Sequence, residues 1–256
     1  MELKNLYNKK IFVLITLILM LSFSFADLTT DLVSYYDFNE TSGNLLDLTA
    51  NSYDGSNTGI TYSQTGIIND AYSFNGSTSK SNLGNNDLGI ATGFTISAWI
   101  KTSTSGYLQI MARDTSSNKR YFQFRLNDGV LEIIRWDLSN TLIGFVSSTG
   151  TVNNGAWHHV AVVFDNSVGT TLYIDGSPDG TDSLTTNNQD GLGLNTIIGA
   201  REASLGSYSD FFNGLIDETG IWNRALTSTN VNELYNGGDG LTYPFITESV
   251  TADFDY

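Results

Sequence analysis

One predicted β-hairpin carries the side chains of this sequence that are best suited to bind a ligand. Its strands flank Asp128-Gly129, a pair that favours a two-residue type I′ turn and thereby sets the register of the strands. Side chains alternate between the two faces of a strand, so this register makes one face apolar and the other polar and aromatic. The polar face holds Arg125 opposite Glu132, Gln123 opposite Ile134, and Tyr121 opposite Trp136.

These residue types match the chemistry that recognises sugars. Flat aromatic rings stack on the C–H face of a sugar, while charged groups and amides bond to its hydroxyls. The predicted ligand-binding residues are Trp136, Tyr121, Arg125, Glu132 and Gln123, with Tyr107 and Tyr208, two tyrosines beside turn glycines, as further candidates. The hairpin also fits a structural role, because an Arg-Glu pair across two strands stabilises a sheet by about 0.2–1 kcal/mol and Tyr opposite Trp is a common pair.

Acidic residues do not form the pair that a glycosidase needs. Its two carboxylates lie about 5 to 10 Å apart, which on one strand requires acids two or four positions apart, since neighbours point to opposite faces. Glu132 is the only acid inside its strand, and Asp217 and Glu218 are adjacent, which predicts that their side chains diverge. Carboxylates from different loops could still converge, so a glycoside hydrolase is kept as a third hypothesis.

The two histidines are neighbours and are predicted to serve the fold. On a strand, His158 and His159 point to opposite faces, so one side chain lies toward the core with Val160 and Val162 and the other lies beside Trp157. They therefore do not form a catalytic or metal-binding pair. The sequence also lacks a Gly-x-Ser-x-Gly nucleophile turn and a phosphate-binding glycine loop.

The elements that position these residues are short strands separated by turns rich in Gly, Asn, Asp and Ser. Predicted strands cover 32–38, 71–74, 94–101, 107–113, 121–126, 130–136, 141–147, 156–164, 171–174, 196–200 and 215–222. This number of strands in one domain implies an all-β fold of two stacked antiparallel sheets. A single short helix follows, with a cap at Thr227, an apolar stripe from Val231 to Tyr235, and an end at Gly237.

The N-terminus predicts export. Three lysines (Lys4, Lys9 and Lys10) precede the apolar run 11–23, and small residues end at Ala26. We therefore divide the chain into a signal peptide at 1–26, one sandwich domain at 27–245 and an acidic tail at 246–256, although a retained anchor stays an alternative. The net charge of −15 argues against nucleic acid as a partner, and zero cysteines exclude disulfides and thiolate metal sites.

Several phrases, taken in order, resemble one known family. They are Tyr36-Asp37-Phe38-Asn39-Glu40, Phe74-Asn75-Gly76-Ser77, Phe94-Thr95-Ile96-Ser97-Ala98-Trp99, Trp157-His158-His159-Val160, Leu172-Tyr173-Ile174-Asp175-Gly176, and Phe212-Asn213-Gly214-Leu215-Ile216-Asp217-Glu218 with Trp222-Asn223-Arg224-Ala225-Leu226. The set resembles the laminin-G-like jelly-roll family of secreted proteins, within the concanavalin A-like lectin/glucanase superfamily. The resemblance covers about residues 31 to 237 and implies a concanavalin A-like β-sandwich.

The resemblance also implies a structural Ca²⁺ ion and a range of functions. The superfamily often holds calcium where the first and last strands meet, which here suggests Asp217, Asp37, Asn75 and Gly76 as ligands. Its members include sugar-binding modules, adhesins and accessory domains of hydrolases. We therefore expect a secreted or cell-surface, non-catalytic binding module for a glycan or a cell-surface polymer. The alternative is a structural domain that binds another surface protein.

Overall fold

The computed structural model describes residues 28–245, except 91, 116–118, 138 and 188–192. The predicted signal peptide and acidic tail lie outside these residues. In chain order, the described strands are β1 (Leu32–Tyr36), β2 (Ser56–Thr58), β3 (Thr61–Thr65), β4 (Asp70–Asn75), β5 (Lys80–Asn82), β6 (Gly93–Lys101), β7 (Tyr107–Thr115), β8 (Lys119–Asn127), β9 (Val130–Trp136), β10 (Leu142–Thr151), β11 (Trp157–Asp165), β12 (Gly169–Ile174), β13 (Ser177–Asp182), β14 (Thr196–Ile198), β15 (Arg201–Ser204), β16 (Ser207–Ser209) and β17 (Asn213–Trp222).

The strands form two sheets that face each other, as predicted. The first sheet has the order β13-β12-β11-β6-β17-β4-β3, with β1 added beside β17. The second has the order β10-β9-β8-β7-β14-β5-β2, and the β15–β16 hairpin joins it at β7. Pairing is antiparallel apart from the contact of β15 with β7 at Glu202 and Thr115. The fold is therefore the predicted all-β sandwich.

The main core lies between the sheets and follows from strand alternation. In β6, every second side chain points into this core and is fully buried: Phe94, Ile96, Ala98 and Ile100. The residues between them face the other side of the first sheet. This period of two is what a half-buried strand requires.

A second apolar layer covers the outer side of the first sheet. It is built by the helix α1 (Ser228–Tyr235), the 3₁₀ turn Asn236–Gly238 and the segment 239–245. The helix begins as predicted, because Thr227 caps it and exchanges hydrogen bonds with Asn230 in a capping box. It ends two residues before Gly237, since Asn236 already adopts a left-handed conformation with φ of 48°. Val231 and Leu234 pack against Ala161, Val163 and Trp222 of the sheet.

The predicted hairpin has the predicted register. Arg125 pairs with Glu132 and Gln123 pairs with Ile134. Asp128 and Gly129 have φ angles of 51° and 88°, and positive φ at both central residues is what a type I′ turn demands. None of the helices in the described part of the chain is long and apolar enough to span a membrane.

Candidate functional site

The outward side chains of β7 to β10 form a surface that we call the open face. At its centre, Nε and one terminal nitrogen of Arg125 each lie 2.9 Å from Oε2 of Glu132. Asn127 donates a hydrogen bond of 3.0 Å to the other carboxylate oxygen of Glu132. Arg125 also donates to Gln123, whose amide donates to the buried Asp114. The ion pair predicted from the turn is therefore present, and polar partners hold it on both sides.

An exposed aromatic ring lies at one edge of this network. Tyr107 is 51% exposed, and the Arg125 guanidinium lies 4.4 Å from the centre of its ring. Cation–π contact of this kind orients both groups while leaving the other side of the ring open to solvent. Tyr107 was only a secondary candidate from its position beside a glycine, and the structure brings it next to the central ion pair.

Two exposed apolar side chains lie on the other edge, on β10. Phe145 is 46% exposed and pairs with Ile134, while Leu142 is 56% exposed and pairs with Trp136. Neither residue is among the ligand-binding residues predicted from the sequence. The alternation of exposed and buried positions along β10 is the signal that marks Phe145, since Val146 next to it points into the core. From β7 to β10 the surface spans three strand spacings, about 14 Å.

The aromatic pair predicted on this face is not formed as expected. Tyr121 is 1% exposed and belongs to the core between the sheets, with its ring 6.1 Å from that of Phe122. The register of β7 shifts between Arg113 and Asp114 beside this end of β8, and such irregularities redirect side chains. Trp136 is on the sheet but only 8% exposed, under the guanidinium of Arg120.

Burial also limits two of the other predicted ligand-binding residues. Gln123 and Glu132 are 3% and 4% exposed, so their polar groups serve mainly the internal network. The parts that can meet a large ligand are the partly exposed Arg125 and the rings at the two edges. Tyr208 lies on β16, away from the hairpin, with the Lys80 ammonium 4.2 Å from its ring centre.

The carboxylates of Asp217 and Glu218 do not diverge, contrary to the prediction. The register of β17 shifts between Asp217 and Gly220, and Glu218 has a φ of 45°. This β-bulge breaks the alternation of side chains along the strand at these two residues. Burial raises the pKa of Asp217 to about 7 and, with the nearby charge of Asp217, that of Glu218 to about 9. The Tyr35 hydroxyl donates to Glu218.

These two carboxylates are nonetheless poorly placed for catalysis. Asp217 and Glu218 are 0% and 4% exposed. The Tyr35 ring above them is itself covered by Tyr243, at 5.3 Å, and by Phe245, at 5.1 Å between ring centres. A polysaccharide has no route to the pair while the segment 239–245 remains in place.

The four residues suggested as calcium ligands do not form one site. Asn75 pairs with Asn213, and Asp217 lies four residues further along β17, which corresponds to about 13 Å. Oδ1 of Asn75 already accepts hydrogen bonds from the amides of residues 77–79 around Gly76. Asp217 accepts three backbone amides, and Asp37 accepts from Asn39. The residues therefore do not fit a common Ca²⁺ ion, and calcium binding stays a prediction from the resemblance.

Both histidines have structural partners. His159 is 1% exposed, with Nε2 2.7 Å from Oγ of Ser97 and its ring in contact with those of Trp99 and Tyr235. Burial lowers its pKa to about 3. Nδ1 of His158 lies 2.8 Å from the carboxylate of Asp175. Within the described residues, no cluster of three or more His, Asp or Glu side chains is arranged to hold a metal ion.

The two sheets and their jelly-roll order define a concanavalin A-like sandwich, a fold used by many binding domains. A family model of laminin G type, described as the concanavalin A-like lectin/glucanases superfamily, matches residues 75–232. The chain belongs to this family. No curated protein matches the chain in sequence.

Solved structures with the same fold are mostly binding domains. The binding domain of Paraclostridial Mosquitocidal Protein 1 is 19% identical with a TM-score of 0.63, over 81% of this chain and 52% of that one. Domain 4 of AbnA, an extracellular arabinanase of Geobacillus stearothermophilus, was solved with arabinotriose and is 23% identical (TM-score 0.59, 79% and 97% covered). The binding domain of Botulinum neurotoxin DC, solved with SialylT, is 14% identical (TM-score 0.61, 80% and 51%).

This chain thus spans about half the length of the two toxin domains and nearly all of the arabinanase domain. At these identities the similarity shows a shared fold.

Proposed function

We propose that this protein is a non-catalytic glycan-binding module, exported to the cell surface or the medium, and that its ligand lies across the open face. The observation that carries the proposal is the exposure of Tyr107 and Phe145 on either side of the Arg125–Glu132 pair. Aromatic rings supply stacking area for sugar rings, and a fixed ion pair supplies directional hydrogen bonds between them. The span of about 14 Å suits a short oligosaccharide better than a single sugar.

The solved neighbours support a glycan as the ligand class. The arabinanase domain was solved with arabinotriose and the neurotoxin domain with SialylT, and both share the sandwich with this chain. Fold alone does not assign a ligand, so the choice of the open face rests on this chain's own residues. The predicted signal peptide supports export.

We propose a non-catalytic module because a substrate cannot reach the candidate carboxylates. Glu132 is locked between Arg125 and Asn127. Asp217 and Glu218 are buried, and the chain itself covers them. A carboxylate pair that no substrate can reach does not hydrolyse a glycosidic bond.

A glycan array followed by calorimetric titration of the best hit tests the proposal. We expect Phe145→Ala and Tyr107→Ala each to weaken binding by about tenfold, because each removes a stacking surface worth on the order of 1 kcal/mol or more. Leu205→Ala is the matched control, since Leu205 is 87% exposed on the turn between β15 and β16. Silence of the purified protein on every glycan, or equal loss in the control, would contradict the proposal.

A protein partner is the second candidate. Leu142 and Phe145 form an exposed apolar pair on β10, and one neurotoxin domain of this fold was solved with rat synaptotagmin II. The same variants separate the candidates. Capture of a surface protein that Phe145→Ala abolishes, with no glycan bound, favours the protein partner.

A further inference from the structure

A cleft of about 230 Å³ opens at one end of the sandwich, away from the open face. Its lining residues come from the start of β6, the end of β11 and the loop after β17: Thr92, Gly93, Asp165, Asn166, Asn223, Arg224 and Ala225. Gly93 pairs with Asp165 at this end of the first sheet. The Asp128-Gly129 turn lies at the opposite end, where Asp128 bonds to Gly106 and Gly129 bonds to Val152. The cleft is therefore separate from the proposed site on β7 to β10.

The carboxylate of Asp165 is held in place by its own turn. Oδ1 accepts hydrogen bonds of 2.7 Å from the Ser167 amide and 2.6 Å from the Ser167 hydroxyl. These bonds lower the pKa of Asp165, so the group is ionised at neutral pH. Because Asp165 also lines the cleft, its local turn holds an acceptor in a fixed position there.

Two amides and a guanidinium complete the polar lining. Asn166 and Asn223 are exposed, and their side-chain amides make no hydrogen bond to other described residues. Each amide offers both donors and an acceptor. Arg224 is anchored by a hydrogen bond of 3.0 Å from Nε to the carbonyl of Thr30. The cleft thus combines an acceptor-only carboxylate with two amides that both donate and accept.

Gly93 leaves room on the wall of the cleft. A Cβ atom added at Gly93 would lie 3.4 Å from the Phe164 carbonyl oxygen and 3.7 Å from the Ala225 amide nitrogen. Both are tolerable contacts, so alanine fits without moving the backbone. The side chain of residue 93 therefore decides how much of the space between Ala225 and β11 a ligand can use.

We propose that this cleft binds one neutral sugar residue, as a second site independent of the open face. Sugar hydroxyls donate to a carboxylate and both donate to and accept from amides, which is the combination that lines the cleft. The volume is below the roughly 300 Å³ at which drug-sized pockets begin, which suits a monosaccharide or the end of a glycan chain. The net charge of −15 disfavours an anionic ligand. Because no aromatic ring lines the cleft, hydrogen bonds dominate and the affinity is weak.

The test is a titration of the isotope-labelled protein with D-glucose, D-galactose, D-mannose and L-arabinose, followed by NMR of the backbone amides. At least one sugar should shift the amides of Gly93, Asn166 and Ala225 in a saturable manner. Asp165→Asn keeps an oxygen that accepts from Ser167 but removes the charge, and should weaken binding by about tenfold. Gly93→Ala should weaken binding by narrowing the cleft, with every polar group retained.

Asp179→Asn is the matched control, because Oδ1 of Asp179 also accepts from the backbone amide and the hydroxyl of one residue, Thr149, and Asp179 lies on β13, which does not line the cleft. It should leave sugar affinity unchanged. If Asp165→Asn fails to fold, the sugar affinity of Gly93→Ala and the amide shifts of the wild type still test the proposal. Three outcomes would overturn the proposal. The first is no saturable shift with any of the four sugars, and the second is unchanged sugar affinity in both cleft variants. The third is that free glycine, a zwitterion, shifts these amides while no sugar does. Phe145→Ala should leave the cleft intact, so failure at either site is seen separately.

Discussion

The two outer faces of this sandwich are built from similar residues but differ in what covers them. The face of the first sheet carries Trp99, His159, Asp217 and Trp222, all of them buried. Rings of α1 and of the segment 239–245 cover the three aromatic side chains, and the backbone at residues 67–68 bonds to Asp217. We call it the covered face. The open face carries an ion pair and exposed rings. The comparison shows that residue types alone do not identify a binding surface, because the chain's own later segments occupy one of the two.

The electrostatics of the two faces differ for the same reason. On the covered face, burial without an opposite charge favours neutral groups, so the pKa values of Asp217 and Glu218 rise and that of His159 falls. On the open face, Arg125 and Glu132 neutralise each other at 2.9 Å. Groups held neutral by burial offer a ligand no charge, whereas a partly exposed ion pair keeps hydrogen-bonding directions that a ligand can use.

The largest expected difference between the two faces is the loss of stability when one aromatic side chain on each face is truncated to alanine. Trp222 is fully buried and its Nε1 donates a hydrogen bond of 2.7 Å to the Leu28 carbonyl. Trp222→Ala should lower the free energy of unfolding by about 3–5 kcal/mol, the usual loss for a large core aromatic. Phe145→Ala on the open face should change it by less than about 0.5 kcal/mol. Urea unfolding measures both, and similar losses would mean that the open face is also part of the core.

A second, smaller effect is a pH dependence that belongs to His159. Above pH 6.5, His159 is neutral in both states; below it, the unfolded chain gains a proton that the folded chain, with a pKa of about 3, does not. Stability is therefore complete above pH 6.5 and is lost as the pH falls, by up to about 1.4 kcal/mol per unit. Asp217 and Glu218 act in the opposite direction, because their raised pKa values let the folded state hold protons.

His159→Gln isolates the histidine contribution, because glutamine can still bond to Ser97 but does not titrate. The stability difference between the wild type and this variant, measured from pH 7.5 to about pH 5, should change in favour of the variant as the pH falls. His158→Gln is the control, because the His158 side chain is partly exposed and paired with Asp175. A difference that stays constant with pH would show that His159 is not buried in its neutral form.

The fold was predictable where local chemistry determines geometry. Asp128-Gly129 specifies a turn with two positive φ angles, and this one turn sets the pairing of Arg125 with Glu132. Thr227 marks the helix start in the same way. The strands that the sequence analysis missed, such as β2, β3 and β13, consist mainly of polar residues with exposed side chains, so they show no apolar alternation.

The candidate site was only half predictable, because its other parts depend on bulges and on a third strand. Phe145 lies on the open face because β10 pairs with β9. The sequence of the loop between these two strands contains no tight-turn pair, such as Asp-Gly, from which their register could be predicted. Tyr121 turns to the core near a register shift in β7, and a bulge in β17 brings Glu218 toward Asp217. A bulge reverses the alternation on which strand reasoning rests, and its position is set by contacts from distant strands.

The smallest expected effect concerns calcium. A calcium ion bound beneath the covered face would contradict the comparison, because that face would then bind a ligand as well. An ion that binds only to the native state raises the melting temperature, so a chelator should lower the melting temperature of a calcium-dependent protein. Here the oxygens of Asp217 accept hydrogen bonds from three backbone amides, and Asn75 lies about 13 Å away along the strand. We therefore expect the same melting temperature with excess EDTA and with added CaCl₂. Magnesium chloride at equal ionic strength is the control for salt. A calcium-specific rise that Asp217→Asn removes would instead support the ligand set that the family resemblance implies, and would require the segment beside Asp37 and the β17 bulge to rearrange around the ion.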